Sequence, residues 1–184
     1  MNWFKNLNLP NKLTVIRVLA IPFFLLFLYL SKGVFRLLPL LIFAGAAITD
    51  AIDGHIARRD NLVTSFGKFM DPLADKLLTA SAFIAFVEIG YLSSWVVILI
   101  ISREFLVSGF RTLAASKGVT IAANSWGKIK TVFQMVLIIV ILLNYTGYFA
   151  FTNPLIVPLI AITVLLTVTS GATYIYENIG VIKN

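Results

Sequence analysis

The apolar residues of this chain fall into long blocks that are separated by short polar segments. Each block is long enough to cross a bilayer as a helix. The blocks lie at approximately 13–30, 34–58, 72–90, 93–115, 125–144 and 154–175. Because the connections between them are short, the pattern predicts one bundle without a soluble domain. We therefore expect an all-α integral membrane protein, a bundle of about six transmembrane helices.

The segment before the first block mixes apolar and polar residues. Its apolar side chains are Trp3, Phe4, Leu7 and Leu9. They either lie in the membrane interface as a short amphipathic anchor or pack onto the bundle, and both interpretations stay open. The predicted organisation is a single membrane domain over residues 1–184, with an interfacial segment at 1–12 and the six-helix bundle at 13–178.

The composition supports a membrane location and excludes several kinds of site. Hydrophobic residues make up 59% of the chain and charged residues 12%, whereas a soluble domain carries about 25% charged residues. The chain has no cysteine and a single histidine, His55. Disulfides, thiolate catalysis, cysteine-based zinc sites and multi-histidine metal sites are therefore excluded.

The positions of the basic residues predict the orientation in the membrane. The net charge is +7, and most basic residues flank alternate connections and the ends of the chain. The connections at 91–95 and 144–154 contain no basic residue. Because positive charge marks the cytoplasmic side, we expect both termini and the connection between the second and third blocks to face the cytosol.

Four of the eight acidic residues lie in one short stretch, at Asp50, Asp53, Asp71 and Asp75. Carboxylates in or near a bilayer are costly unless they pair, bind a metal or line a wet cavity, so they mark a functional site. The helical period places the first two on one face of the second helix, and the last two on one face of the third. We expect all four to converge near the cytosolic side.

Carboxylates without histidine or cysteine form a hard oxygen set, which favours Mg²⁺ or Mn²⁺ with a phosphate completing the coordination. Two ions would neutralise a diphosphate, and one carboxylate would also suit a general base toward a hydroxyl. Simpler interpretations stay open. Asp71 followed by Pro72 fits a cap at the start of the third helix, and the first two aspartates could pair with Arg17 or Arg58.

The aspartates belong to a longer pattern of fixed spacing. It reads Asp50-x-x-Asp53-Gly54-x-x-Ala57-Arg58, then eight residues, then Gly67-x-x-x-Asp71-x-x-x-Asp75. This pattern resembles the signature of the CDP-alcohol phosphotransferases, integral membrane enzymes of phospholipid synthesis, and every signature position is filled. The six-helix arrangement of that family also agrees with the apolar blocks.

The resemblance implies a reaction and a role for each signature residue. A hydroxyl attacks the phosphorus attached to the lipid glycerol of a CDP-linked lipid, and CMP leaves. Asp75 would be the catalytic residue that deprotonates the attacking alcohol. The ligands of two Mg²⁺ or Mn²⁺ ions would be Asp50, Asp53, Asp71 and Asp75. The CDP-lipid site would be formed by Asp50, Asp53, Gly54, Ala57, Arg58 and Gly67.

The segments beside the signature narrow the resemblance to one branch of the family. NLPNKLTVIRVLAIP, ISREFLVSGFR and AANSWGKIKT are similar to segments of the bacterial phosphatidylglycerophosphate synthases, so the resemblance extends from Asn8 to Thr131. That branch transfers the phosphatidyl group of CDP-diacylglycerol to sn-glycerol 3-phosphate, giving phosphatidylglycerophosphate and CMP. The resemblance also implies a homodimer in a bacterial cytoplasmic membrane.

A phosphorylated acceptor requires cationic side chains, and the fourth and fifth helices supply them at Arg103, Arg111, Lys128 and Lys130. Arginine binds a phosphate through two hydrogen bonds and lysine adds a point charge, so we expect this group to bind the acceptor phosphate, with Arg111 as the main ligand. Alternatives stay open. Arg103 could pair with Glu104 or Glu88, and the two lysines could extend toward anionic lipid headgroups.

Two other functions are compatible with parts of the pattern. A sister enzyme of the same family would use serine, inositol phosphate or phosphatidylglycerol as the acceptor, and would need the cationic group only for an anionic acceptor. A divalent-cation transporter would use the aspartates as an ion path. The deeper charged residues are only Glu88, Arg103 and Glu104, which form no continuous acidic path across the membrane.

Overall fold

The computed structural model describes residues 8–30, 32–59, 65–119, 121, 125–149, 153–178 and 180. For residues 9, 34, 50–59, 65, 66, 68, 69 and 153 it describes the backbone and not the side chain. The described residues form six α-helices: α1 (Leu9–Leu30), α2 (Leu38–Arg59), α3 (Ser65–Glu88), α4 (Ser94–Ser116), α5 (Ser125–Thr146) and α6 (Asn153–Asn178). A 3₁₀ helix, Gly33–Leu37, lies between α1 and α2. The described part of the chain contains no strand, which confirms the predicted all-α fold.

Three of the described helices are long and apolar enough to cross a membrane, by length and composition. Their apolar segments are Pro10–Leu30, Ser125–Thr146 and Pro154–Asn178. A shorter apolar stretch, Phe35–Thr49, begins in the 3₁₀ helix, continues into α2 and precedes the aspartates and Arg58. The protein is therefore an integral membrane protein with six described α-helices, of which α2 to α5 carry the charged residues predicted for the site.

Three helix starts differ by four residues or more from the sequence-based prediction. Helix α2 begins at Leu38 and not near residue 34, because the 3₁₀ helix Gly33–Leu37 precedes it. Helix α1 already begins at Leu9, and the part of the predicted interfacial segment before Asn8 lies outside the described residues. Helix α3 begins at Ser65, so the prediction that Asp71 caps this helix is wrong. Pro72 lies inside the helix. Proline is tolerated inside membrane helices because other groups satisfy the backbone positions that it leaves open.

The outer surface of the described helices is apolar, whereas many polar side chains lie inside. Exposed apolar side chains include Phe23, Leu41 and Leu165. Buried polar side chains are Asn11, Thr14, Arg17, Lys130, Gln134, Thr146, Thr163, Thr167 and Ser170. Lipid offers no hydrogen bonds, so polar groups within the membrane face the protein interior. This distribution is the one that a lipid-embedded bundle requires.

The chain divides into two compact units. The first consists of Met1–Ala85 and Leu142–Phe149. In it, α1 packs along α2, and the rings of Phe24 and Phe43 meet at a centroid distance of 6.0 Å with 52° between their planes. Both rings are fully buried, so this contact forms part of the core between the two helices.

The second unit consists of Phe86–Ile141 and Ala150–Asn184. In it, α4 packs against α6. The rings of Phe110 and Tyr174 meet edge to face at a centroid distance of 6.2 Å and an interplanar angle of 85°. An edge-to-face arrangement is a favourable geometry for aromatic pairs, because the positive ring edge meets the negative face.

Candidate active site

The carboxylates of α3 lie one helical turn apart. Asp71 and Asp75 are both described, both are half-buried, and both lie within the continuous helix Ser65–Glu88. Four residues of helix correspond to about 6 Å along the axis. The predicted sharing of one face by these two aspartates is therefore confirmed by the helical backbone.

A threonine of α1 binds the first of these carboxylates. Thr14 is fully buried, with 0% of its surface exposed, and its hydroxyl donates a hydrogen bond to Oδ1 of Asp71. The same hydroxyl lies 3.1 Å from the carbonyl oxygen of Pro10. Thr14 was not among the predicted site residues, although it is a polar residue within an apolar helix.

An arginine of α1 reaches the other aspartate-bearing helix. Arg17 is 1% exposed, and its Nε donates to the carbonyl oxygen of Ala46 in α2 at 3.3 Å. That oxygen also accepts a hydrogen bond of 2.8 Å from the hydroxyl of Thr49. Ala46 precedes Asp50 by about one helical turn. Within the first unit, α1 thus contacts α2 through Arg17 and α3 through Thr14.

The signature residues of α2 are described as backbone only. The helix runs without interruption to Arg59, so Asp50, Asp53, Gly54, Ala57 and Arg58 are helical. Their side chains lie outside the described residues, and the convergence of four carboxylates stays a prediction. Among the side chains that the structure describes, no group of three or more metal-ligating residues occurs. Gly67 is buried at the start of α3.

The second unit contains a cluster of charged side chains around one carboxylate. Lys130 of α5, which is 2% exposed, forms an ion pair with Oε1 of Glu104 in α4. Nη1 of Arg103 lies 3.4 Å from the same oxygen. The pairing of Arg103 with Glu104, one of the alternatives predicted from the sequence, is therefore present. Two cations share one carboxylate, so the formal charges of these three side chains sum to a net positive charge.

Two glycines leave the room that Arg103 occupies. A Cβ added to Gly171 of α6 would come within 3.0 Å of Cγ of Arg103, and one added to Gly127 of α5 would lie 3.7 Å from Nη2. Any larger residue at Gly171 would therefore displace the arginine. Nε of Arg103 is buried and has no hydrogen-bond partner among the described groups, so its donor capacity is not used within the described part of the chain.

Arg111 and Lys128 lie apart from the cluster around Glu104. Nε of Arg111 lies 3.3 Å from the hydroxyl oxygen of Tyr174, and its guanidinium carbon lies 5.6 Å from the centroid of the same ring. Tyr174 is 2% exposed and Arg111 is exposed, so a buried ring orients a cation toward the surface. Lys128 is also exposed, at the start of α5. Of the predicted phosphate ligands, Lys130 is thus buried, Arg103 is half-buried beside it, and Arg111 and Lys128 are exposed.

Comparison with known proteins shows similarity to one family. The profile of the family described as CDP-alcohol phosphatidyltransferase matches residues 7–170. A protein of Bacillus subtilis (strain 168) named CDP-diacylglycerol–glycerol-3-phosphate 3-phosphatidyltransferase is 39% identical over 188 residues, covering 96% of this chain and 97% of the relative. Proteins of the same name from Rickettsia bellii and Haemophilus influenzae are 40% and 36% identical, and each match covers 91% of this chain. These matches cover 93% and 91% of the two relatives.

Proposed function

The chain belongs to the CDP-alcohol phosphatidyltransferase family, and we propose that it transfers a phosphatidyl group from CDP-diacylglycerol to sn-glycerol 3-phosphate, releasing CMP. The observation that carries this proposal is the similarity along almost the whole chain to relatives named for this reaction. The signature is filled at every position, on two helices that belong to the same compact unit. The product would be phosphatidylglycerophosphate.

The chemistry of the donor set fits a divalent metal. The family is generally metal-dependent, and carboxylate oxygens are the ligands that Mg²⁺ and Mn²⁺ prefer. Asp71 and Asp75 would hold the metal together with Asp50 and Asp53, and we propose two ions. When bound, the metal would neutralise charge on the diphosphate and on the leaving CMP.

The reaction itself requires one proton acceptor and one displacement. In our proposal, the carboxylate of Asp75 takes the proton from a hydroxyl of glycerol 3-phosphate. The freed oxygen forms a bond to the phosphorus that carries the diacylglycerol. The bond between that phosphorus and the oxygen bridging to CMP breaks, and CMP leaves with the electron pair. Helix α3 supports this role, since it places Asp75 one turn from Asp71.

The donor would bind along the face of α2 that carries small residues. As small residues, Gly54 and Ala57 would leave the helix backbone accessible to the donor, and Arg58 would bind one of its phosphates. Gly67, at the start of α3, would border the same site. The complete CDP-lipid site in our proposal consists of Asp50, Asp53, Gly54, Ala57, Arg58 and Gly67.

The acceptor phosphate would be bound by the cations of the second unit. The net positive charge of Arg103, Lys130 and Glu104 supports this role, as does the buried Nε of Arg103, which remains able to donate. Arg111 would add a bidentate ligand that Tyr174 holds in place. Lys128 would add charge at the surface, where it would also attract two anionic substrates.

We further propose the setting in which the enzyme works. Both termini and the active site would face the cytosolic side of a cytoplasmic membrane, which the positive residues flanking alternate connections support. The whole chain, 1–184, would act as a single membrane domain, and the homodimer implied by the family resemblance would be its assembly. Chemical labelling of single cysteines introduced at either end, in sealed cells, would test the orientation.

The experiment that tests the function measures CMP release by the purified protein in detergent, with CDP-diacylglycerol and Mg²⁺ or Mn²⁺. The acceptor is varied among glycerol 3-phosphate, serine, inositol phosphate and phosphatidylglycerol, with a chelator as control. We expect metal-dependent release with glycerol 3-phosphate. Release only with another acceptor would make the protein a sister enzyme. No release with any acceptor, together with cation uptake into sealed vesicles, would make it a transporter.

A further inference from the structure

We propose that Thr14 is a positioning residue, which fixes the carboxylate of Asp71 for metal binding and does not itself contact substrate. This inference rests on the proposed function, because it takes Asp71 as a metal ligand. The structural basis is a partly buried hydrogen bond that joins α1 to α3 across 57 residues of sequence. Both residues belong to the first compact unit.

The hydroxyl of Thr14 has one hydrogen and two acceptors within reach. One is the carbonyl oxygen of Pro10, four residues earlier in the same helix, at 3.1 Å, and the other is Oδ1 of Asp71. A hydrogen bond to an ionised carboxylate is roughly twice as strong as one to a neutral carbonyl. The hydrogen therefore points toward Asp71, and the bond exists only while the carboxylate and α1 keep this arrangement.

Holding one carboxylate oxygen leaves the other for a ligand. A free aspartate samples several rotamers, and fixing one of them before the ligand arrives lowers the cost of binding. Removal of a group that hydrogen-bonds to a metal ligand typically weakens metal affinity about 10–100-fold. Thr14 has the properties that such a group needs, because it is fully buried and contacts the carboxylate directly.

A second contact shows that α1 is fixed to both helices of the signature. Arg17, one turn after Thr14, donates from Nε to the carbonyl oxygen of Ala46, which lies about one turn before Asp50. The two contacts leave the same helix and end on α2 and α3. Helix α1 thus contacts both aspartate-bearing helices, and Thr14 is the contact that ends on a predicted ligand.

The test compares Thr14→Val with two matched variants. Valine has nearly the shape of threonine but lacks the hydroxyl, whereas Thr14→Ser keeps the hydroxyl. Thr163→Val is the control for the loss of a buried hydroxyl, because Thr163 is also 0% exposed. Its hydroxyl donates a hydrogen bond of 2.7 Å to the carbonyl oxygen of Leu159, four residues earlier in the same helix. Thr163 is not part of the proposed catalytic or binding machinery. Thr14→Ala replaces the valine variant if valine prevents folding.

The Kd of Mn²⁺ is measured for each purified variant by electron paramagnetic resonance, which detects the free ion. The unfolding temperature of each metal-free variant is measured as well. We expect Thr14→Val to raise this Kd about 10–100-fold, Thr14→Ser to restore it, and Thr163→Val to leave it unchanged. The Mg²⁺ concentration that half-saturates CMP release should rise in parallel, with a smaller change in kcat at saturating Mg²⁺.

An unchanged Kd in a folded Thr14→Val protein would overturn the inference and leave the proposed function intact. So would an equal loss of Mn²⁺ affinity in Thr163→Val, because the effect would then be one of packing. Failure of the proposed function looks different: the unaltered protein would release no CMP, whatever its Kd for Mn²⁺.

Discussion

Lys130 and Glu104 form an ion pair between α5 and α4, and the lysine in this pair is only 2% exposed. A lysine that extended toward lipid headgroups would keep its ammonium group at the surface. The observed burial favours a role inside the protein. Because Arg103 contacts the same carboxylate at 3.4 Å, the cluster can lose one cation and still satisfy Glu104 in part.

Replacing this buried lysine should lower stability. Removal of one partner of a buried ion pair costs about 3–5 kcal/mol, and we expect Lys130→Met to fall at the lower end because Arg103 remains beside Glu104. Lys128→Met is the control, since an exposed substitution changes stability by about 0.5 kcal/mol or less. The unfolding temperatures of the purified variants in detergent test this prediction. Equal unfolding temperatures would show that the pair contributes nothing.

Replacing the proposed base should remove turnover and leave the fold intact. Asp75→Asn keeps the volume of the side chain but accepts no proton, so we expect kcat for CMP release to fall at least about 100-fold. The unfolding temperature should stay close to that of the unaltered protein. Glu88→Gln, at the far end of the same helix, serves as the control and should keep full activity. Full turnover in Asp75→Asn would remove this residue from the site.

Filling the space beside Arg103 should weaken acceptor binding. A Cβ at position 171 would meet Cγ of Arg103 at 3.0 Å, so Gly171→Ala has to shift the arginine. We expect KM for glycerol 3-phosphate to rise about fivefold, which corresponds to about 1 kcal/mol, while KM for CDP-diacylglycerol stays the same. Gly109→Ala is the matched control, because nothing lies within 4 Å of its added Cβ. The same KM for glycerol 3-phosphate in both variants would contradict the assignment of Arg103.

Removing the hydroxyl of Tyr174 should show how much the orientation of Arg111 contributes to acceptor binding, since the charge of Arg111 is unchanged. Tyr174→Phe deletes the partner of Nε but keeps the ring that lies 5.6 Å from the guanidinium carbon. A hydrogen bond to a charged group contributes about 1.5–3 kcal/mol when buried and less near the surface. We therefore expect KM for glycerol 3-phosphate to rise about threefold to tenfold, with kcat unchanged. Tyr176→Phe, at a side chain that is 83% exposed, should leave KM unaltered, and a matching rise there would point to a nonspecific effect.

The helices and the signature face were predictable because their signals are strong and local. Long apolar blocks predict membrane helices whatever their packing. The spacing of Asp50 and Asp53 requires only a helical backbone, which α2 provides as far as Arg59. The exception is the start of α3. The rule that proline opens helices favoured Pro72, whereas the helix begins at Ser65 and includes the proline.

The contacts of α1 were not predictable in the same way. Thr14 and Arg17 are three residues apart on one face of an apolar helix, and that spacing was the only signal that they point inward. Their partners lie 57 and 29 residues away. Such pairings depend on how helices pack, and helical periodicity within one segment gives no information about a partner in another. The contact of Glu104 with Lys130 as well as Arg103 was not predictable for the same reason, because it depends on how α4 and α5 pack.

The buried guanidinium of Arg17 has a consequence for how the chain enters the membrane during synthesis. A charged side chain at the centre of a lone helix opposes insertion by about 2.5–3.5 kcal/mol. Its acceptor, the carbonyl of Ala46, belongs to α2 and emerges from the ribosome later. We expect α1 and α2 to insert cooperatively, as a hairpin. A nascent chain stopped after Leu30 should therefore integrate less completely than one extended through Arg59, and replacement of Arg17 by leucine should remove that difference.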